Sequence, residues 1–268
     1  MHPTALDDRL AFISGAASGI CYGIAEALAV HRMRIAIADI DAPAAEAAAA
    51  RLREAGAEAM ALALDVRALD AWNIALDSAE QKFGPLAVLA SNAGVAGSRM
   101  PVAQTDPIAW DWTIAVNLNG AFNAARAALP RLLQHGQPGH FMATASLGGF
   151  LVQPGNAAYS AAKAGVIALC EALRAELAGS AIGVSVLCPG LVSTRLLEAN
   201  ASRMPGIKLS EPEPELEAML RAGMPPREAG ELVVKGIIEN RFWLFTHPEL
   251  GPHVEARAAE IRAAGATR

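Results

Sequence analysis

Ser14-Gly15-Ala16-Ala17-Ser18-Gly19-Ile20-Cys21-Tyr22-Gly23 is the stretch on which the reading of the fold turns. An apolar run at 10–14 precedes it, and an Ala-rich amphipathic run at 20–32 follows at once. That order reads as strand, tight turn, helix. Glycines let a chain reverse sharply and bring backbone N–H groups close to a bound group, and a helix N-terminus beyond them favours an anion. Taken alone, such a turn is equally a plain tight turn. Placed between the first strand and the first helix, it reads as a pyrophosphate cradle.

The same alternation continues outward. Apolar runs rich in Val, Ile, Leu and Phe fall at 34–39, 59–65, 86–91, 140–146, 184–188 and 242–245. Amphipathic runs fall between them at 44–55, 71–83, 107–134, 157–177 and 227–239. Strands alternating with helices predict a parallel α/β sheet with right-handed crossovers and helices on both faces, which is why the strands read apolar throughout. No repeat or Ser/Gly linker divides residues 1–268, so a single domain is expected. The irregular stretch is 193–226, with five prolines and a short helical pattern at 213–221. Its Leu196, Leu197, Met204, Leu209, Leu216, Met219 and Leu220 give it something to bury, so it reads as a substrate lid rather than a surface excursion. The tail, 248–268, reads as one more amphipathic helix, placed to cover the sheet edge or reach a partner subunit.

Composition narrows the function classes. A hydrophobic fraction of 53% supplies an ample core, and a net charge of −5 without a basic patch argues against nucleic-acid or membrane partners. No cationic segment followed by an apolar stretch opens the chain, and no apolar run approaches the ~20 residues that span a bilayer. The cysteines, Cys21, Cys170 and Cys188, are isolated, which argues against a disulfide framework or a zinc site and makes a reducing cytoplasm the expected location.

Polar groups gather at the strand ends. Asp39 ends the second strand, twenty residues past Gly19, where a carboxylate accepts both ribose hydroxyls of an adenosine and repels a 2′-phosphate, favouring NAD. The alternative is that Asp39 caps the next helix, as Asp41 does in the same reading. Asp65 ends the third strand, where it offers an acceptor to an adenine amino group or caps a loop. Asn92-Ala93-Gly94 ends the fourth. Ligands of open α/β sheets bind at this end. Tyr159 and Lys163 lie four apart on one helical face, and Ser146 closes the fifth strand thirteen residues before Tyr159. An ammonium beside a phenol is expected to lower the phenol's pKa toward working pH, fitting it to exchange a proton in carbonyl–alcohol chemistry.

Together and in order, Ser14-Gly15-…-Gly19, Asp65, Asn92-Ala93-Gly94, Asn117, Ser146, Tyr159…Lys163 and Pro189-Gly190-Leu191-Val192-Ser193-Thr194 resemble the classical short-chain dehydrogenase/reductase family over nearly the whole chain. The resemblance implies a doubly wound Rossmann-type domain with a parallel seven-stranded sheet, commonly a homodimer or homotetramer. It implies Tyr159 as general acid/base, Lys163 as the group that lowers its pKa and holds the nicotinamide ribose, Ser146 as the group orienting the substrate oxygen, and Asn117 as support for a proton-relaying water chain. It implies a cofactor site at Ser14, Gly15, Ser18, Gly19, Ile20, Asp39, Ile40, Asp65, Val66, Asn92, Ala93, Gly94, Pro189, Gly190, Val192 and Thr194, with Tyr159 and Lys163.

Three positions depart from the family pattern. Cys21 stands at the third glycine position, Ser14 replaces a threonine, and Ser91 replaces the first asparagine of Asn-Asn-Ala-Gly. The expected substrate wall, Val95, Ala96, Leu147, Gly148, Phe150, Gly190 and Leu191 with the lid, beside Ser146 and Tyr159, is apolar and offers no cationic cluster. A neutral, fairly hydrophobic secondary alcohol or its ketone is therefore expected. The segments 146–150, 117–120 and 242–248 also look like the subgroup that oxidises aryl benzylic alcohols. Two rivals stand beside this reading. One is an NADPH-dependent ketone or 3-oxoacyl-thioester reductase, against which Asp39 argues. The other is a non-catalytic dinucleotide-binding protein, a class that typically loses the tyrosine or the lysine.

Overall fold

The computed structural model of the chain describes residues 6–194, 196 and 214–266. Seven strands form one parallel sheet: β1 (Leu10–Ser14), β2 (Arg34–Asp39), β3 (Ala59–Ala63), β4 (Leu86–Ser91), β5 (Gly139–Thr144), β6 (Ile182–Cys188) and β7 (Trp243–Phe245). Their spatial order is β3-β2-β1-β4-β5-β6-β7. The order reverses between β1 and β4, so the crossovers run to opposite edges and open a crevice there.

The side-chain period of two divides each strand between two cores. Leu10 and Phe12 of β1 join one cluster with helices α3 (Leu69–Phe83), α5 (Gly120–Gln134) and α6 (Ala157–Glu176). Ala11 and Ile13 of the same strand join the other, with α1 (Gly19–Val30), α2 (Ala42–Glu54) and α8 (Pro226–Ile238). Helices therefore cover both faces. The two edge strands, β3 and β7, are apolar too but only partly buried. Close packing of α1 on α8 rests on backbone contact: a Cβ at Gly23 would run into the Pro226 carbonyl, and one at Gly230 into the Gly23 carbonyl.

The sequence reading needs four adjustments. The run at 107–134 is not one helix: α4 (Pro107–Ile114) passes into a π-helical turn at Ala115–Asn119 before α5. Such turns admit an extra residue and recur where a helix must present a functional side chain. The third and fifth strands stop at Ala63 and Thr144, so Asp65 and Ser146 stand in the loops beyond them. Of the expected lid, α7 (Pro214–Arg221) is helical and exposed on much of its surface, while Leu197, Met204 and Leu209 lie outside the described residues. The tail forms α9 (Gly251–Ala266), which is exposed along most of its length and lays no apolar stripe on the sheet.

One buried group makes the fold pH-sensitive. His140 of β5 is fully buried, and its Nε2 lies 2.7 Å from Ser185 Oγ. The single Ser185 hydroxyl hydrogen goes to the Arg241 carbonyl (2.6 Å), so Ser185 accepts the proton that His140 carries on Nε2. Nδ1 faces Gly183 with no hydrogen-bond partner, and charging it would bury an unpaired cation. Burial accordingly pushes the His140 pKa down to about 3. The unfolded chain binds this proton near pH 6.5 and the folded chain near 3, so stability falls as pH drops from 6.5 toward 3. Urea unfolding followed from pH 7.5 to 4.5 is expected to show little change through this group above pH 6.5 and a loss of about 1.4 kcal/mol per pH unit below it in the wild-type chain. His140→Gln should flatten that limb by one proton; parallel curves would contradict the assignment.

Candidate active site

The polar residues picked out in the sequence converge at the C-terminal ends of β1, β2, β4, β5 and β6. Gly15 takes φ +70°, and a Cβ there would lie 2.7 Å from the Ala93 Cα, so the two turns touch backbone to backbone. Gly19 takes φ +62° at the start of α1, facing Thr194. A cavity opens above this contact, lined by Gly15, Ser18, Gly19 and Ile20 on one side and by Ser146, Tyr159, Lys163 and Pro189 on the other. A second cavity shares Gly15, Asp39, Ala93, Gly94 and Val95 with it and runs past Ile40, Asp65 and Val66. Asn92, Gly190, Val192 and Thr194 complete the first cavity.

Ser14 is placed differently from expectation. It is fully buried, lines neither cavity, and accepts the backbone N–H groups of Asn92 (3.1 Å) and Ala93 (3.4 Å). The hydroxyl braces the β1 turn against the β4 turn. The Asp39 carboxylate is buried and accepts Ala17 N (3.3 Å) and Asp41 N (3.1 Å), which aims it into both cavities. Asp41, not Asp39, caps α2, by accepting Ala44 N at 3.0 Å. Asp65 forms an ion pair with Arg67 (2.6 Å), which holds its carboxyl below the ordinary value.

Tyr159 and Lys163 enter from one face of α6. The Lys163 ammonium donates to the Thr144 carbonyl (2.8 Å) and sits 5.7 Å from the Tyr159 ring centre. Burial pushes the lysine down to about 8. Burial also raises the Tyr159 phenol, and a hydrogen bond with Ser146 pulls it partly back. The lowering expected from Lys163 is not found: burial dominates, and Ser146 is the partner that pulls the phenol down. Asn117, in the π turn, clamps Val95 with both ends of its amide, accepting Val95 N (3.0 Å) and donating to Val95 O (2.9 Å). It faces Gly94, where a Cβ would lie 2.8 Å from Asn117 Oδ1 and 3.4 Å from Lys163 Nζ.

The expected substrate wall is met in part. Val95 and Gly190 line the cavity, joined by Leu196 and Leu220 of the lid segment. Ala96, Leu147, Gly148, Phe150 and Leu191 do not line it, although Gly148 packs 3.3 Å from Ser146 Oγ and from the Tyr159 ring, measured from a built Cβ. Sequence reading missed Thr144, whose carbonyl holds Lys163, and Trp112, which walls the second cavity. Neither carried a motif.

The arrangement fits a dinucleotide. Two cavities meet at a glycine-walled contact, a buried carboxylate faces both, and buried Asn92 Nδ2, beside the first cavity, has no protein partner. Fold and site together define a dinucleotide-dependent oxidoreductase, with Ser146, Tyr159 and Lys163 side by side on the cavity. The profile of the short chain dehydrogenase family matches residues 9–205, and the chain belongs to that family. Its members bind a nicotinamide dinucleotide. The chain is 34% identical to a C alpha-dehydrogenase of Sphingobium sp., over 92% of this chain and 83% of that one. It is 32% identical to a 1-deoxy-11-beta-hydroxypentalenate dehydrogenase of Streptomyces avermitilis, over 91% and 86%. A short chain dehydrogenase/reductase from Burkholderia phymatum, solved in complex with NAD, superposes with a TM-score of 0.90 at 31% identity, over 97% of this chain and 96% of that one. Among the described residues no helix is long and apolar enough to cross a membrane.

Cys21 lines the cavity and interacts electrostatically with Lys163. Its side chain occupies space that a glycine leaves to the cofactor. Cys21→Gly is expected to lower the dinucleotide Kd about twofold to tenfold, while costing about 0.3 kcal/mol of helix stability. Titration by intrinsic fluorescence measures the first and urea unfolding the second. An unchanged Kd would show that the thiol stands clear of the cofactor.

Proposed function

We propose that the protein is an NAD-dependent dehydrogenase that interconverts a neutral, hydrophobic secondary alcohol and its ketone. The observation that carries this reading is the convergence of Ser146, Tyr159 and Lys163 on the cavity that Asp39 enters from its other end. The dinucleotide supplies the hydride acceptor. Tyr159 Oη takes the proton of the substrate hydroxyl during oxidation and returns it during reduction. The Ser146 hydroxyl orients the substrate oxygen. Lys163 holds the nicotinamide ribose, the Ser146 hydrogen bond favours the phenolate, and Asn117 supports the water chain that carries the proton outward. NAD is preferred over NADP because the Asp39 carboxylate would meet a 2′-phosphate without a free cation beside it: Arg67 is paired with Asp65, and Arg34 lies 3.5 Å from Glu58.

Two observations support the substrate class. Asp39 and Lys163 are the charged side chains among the described residues lining the first cavity, and both already have roles, so no cation is left for an anionic substrate. Val95, Val192, Leu196 and Leu220 supply apolar walls. The dehydrogenase relatives favour an alcohol over an acyl thioester, and aryl alcohols belong in the first panel tested. The protein works as a single domain in a cytoplasmic homodimer or homotetramer.

A screen of aliphatic, aryl and steroid alcohols for NAD reduction tests the reading. Tyr159→Phe is expected to cut kcat/KM by about 10² to 10⁴ on any accepted alcohol. Full turnover in that variant would end the catalytic assignment. Wild-type enzyme is expected to prefer NAD over NADP by at least about tenfold, and Asp39→Ala to erode that ratio. A clear NADP preference in the wild-type enzyme would favour a ketone or 3-oxoacyl-thioester reductase instead.

A further inference from the structure

Two turns flank the place where a substrate oxygen would meet Ser146 and Tyr159. One is the 3₁₀ turn Leu147–Gly149, and the other is Pro189-Gly190. They are tied to each other, because Leu147 N donates to the Pro189 carbonyl at 3.0 Å. Each is also held from behind by the last part of the chain. Gly190 N donates to Thr246 Oγ1 (3.0 Å), at the residue after β7. Arg257, in α9, donates from one guanidinium nitrogen to the Phe150 carbonyl (3.0 Å) and to the Gly149 carbonyl (3.3 Å).

The second contact is unusual for its surroundings. Most of α9 is exposed, and its burial offers little reason for the helix to stay where it is. A charged donor on two main-chain carbonyls of one tight turn is what fixes it there. Those carbonyls belong to the segment that begins at Ser146, whose Gly149 N–H returns to the Ser146 carbonyl (3.0 Å) and whose Phe150 N–H returns to Leu147 (2.9 Å). The Phe150 ring packs on Trp243 and Phe245, 5.8 and 6.1 Å between centres, so the aromatic side of the turn is seated by β7 while its polar side is seated by Arg257.

We infer that α9 is a clamp on the substrate side of the active site and that Arg257 is its positioning residue. The inference rests on the dehydrogenase reading above. The Ser146 backbone is also held from outside the clamp, because Ala145 N donates to the Leu187 carbonyl (2.8 Å) and Leu147 N to Pro189 on either side of it, while its Oγ accepts Gly148 N at 3.0 Å. Losing Arg257 therefore loosens the turn at Gly148–Phe150, which stands behind Ser146 and Tyr159, more than the strand end that carries Ser146. The cofactor turn at Gly15–Gly19 has no part in these hydrogen bonds.

The test uses the full chain with Arg257→Ala and Arg257→Lys. Hydrogen exchange at the amides of Gly149, Phe150 and Leu151 reads the turn directly. With an alcohol that the wild-type enzyme oxidises, KM and kcat are measured at saturating NAD, and the NAD Kd by fluorescence. Arg257→Ala is expected to speed exchange at these amides about tenfold and to raise KM about threefold to tenfold, with kcat within twofold and the NAD Kd unchanged, as fits loss of one or two surface-accessible hydrogen bonds. Arg257→Lys, which keeps a cation with several donors, should restore most of both effects. Unchanged exchange, an unchanged KM, or an equal rise in the NAD Kd would overturn the clamp. A wild-type chain that oxidises no alcohol overturns the dehydrogenase reading, and the exchange measurement then decides the clamp by itself.

Discussion

The catalytic end of the molecule depends on one close approach, the backbone of Gly15 against that of Ala93. No side chain fits between them. The contact joins the turn after β1 to the turn after β4, the two strands at which the sheet changes winding direction. Because crossovers leave that point in opposite directions, neither crossover covers it, and both cavities reach Gly15 and Ala93. Ser14 reinforces the same junction from below by accepting two amides of the β4 turn. A hydroxyl there serves the architecture, which explains why serine substitutes for threonine without cost to the arrangement.

Burial then sets the chemistry of the centre. Lys163 is buried and Tyr159 half-buried, and desolvation moves their pKa values toward the neutral forms from opposite directions. The phenol rises and the ammonium falls to about 8, so the two groups lie further apart in proton affinity than in water, with the phenol now holding its proton more firmly than the ammonium does. The Thr144 carbonyl keeps the ammonium in place, and the Ser146 hydroxyl offsets part of the rise at Tyr159. Asn117 contributes by holding the backbone at Val95, and the π turn is what brings its amide there.

Local signals carried much of this into the sequence. The apolar runs alternating with amphipathic ones and the glycine turns announced the parallel sheet, and Asp39, Asp65, Asn92 and Ser146 fell on the two cavities, because ligand side and strand polarity are locked together in such folds. What stayed hidden was non-local. The π turn breaks a continuous helical pattern without glycine or proline to mark it. The Thr144 and Arg257 contacts work through main-chain carbonyls, which have no sequence signature, and Arg257 reaches a turn 107 residues away. The upward shift of Tyr159 was equally unreadable, since spacing reveals a neighbouring charge but not the water that folding removes. The tail's helical pattern was legible while its exposure was not, because its placement rests on a polar contact and not on an apolar stripe.

Cys21 shows where local rule and site diverge. Its neighbours Gly15 and Gly19 both take left-handed backbone angles that favour glycine, whereas Cys21 lies inside α1, where any side chain is sterically allowed by the backbone. The glycine expected there answers to the cofactor and not to the helix, so its replacement leaves the fold intact and changes the chemistry of the cavity wall. The thiol adds a polarisable group to the cavity wall, within electrostatic reach of Lys163. Departures from a family pattern are informative when they fall, as this one does, on a position that folding does not constrain.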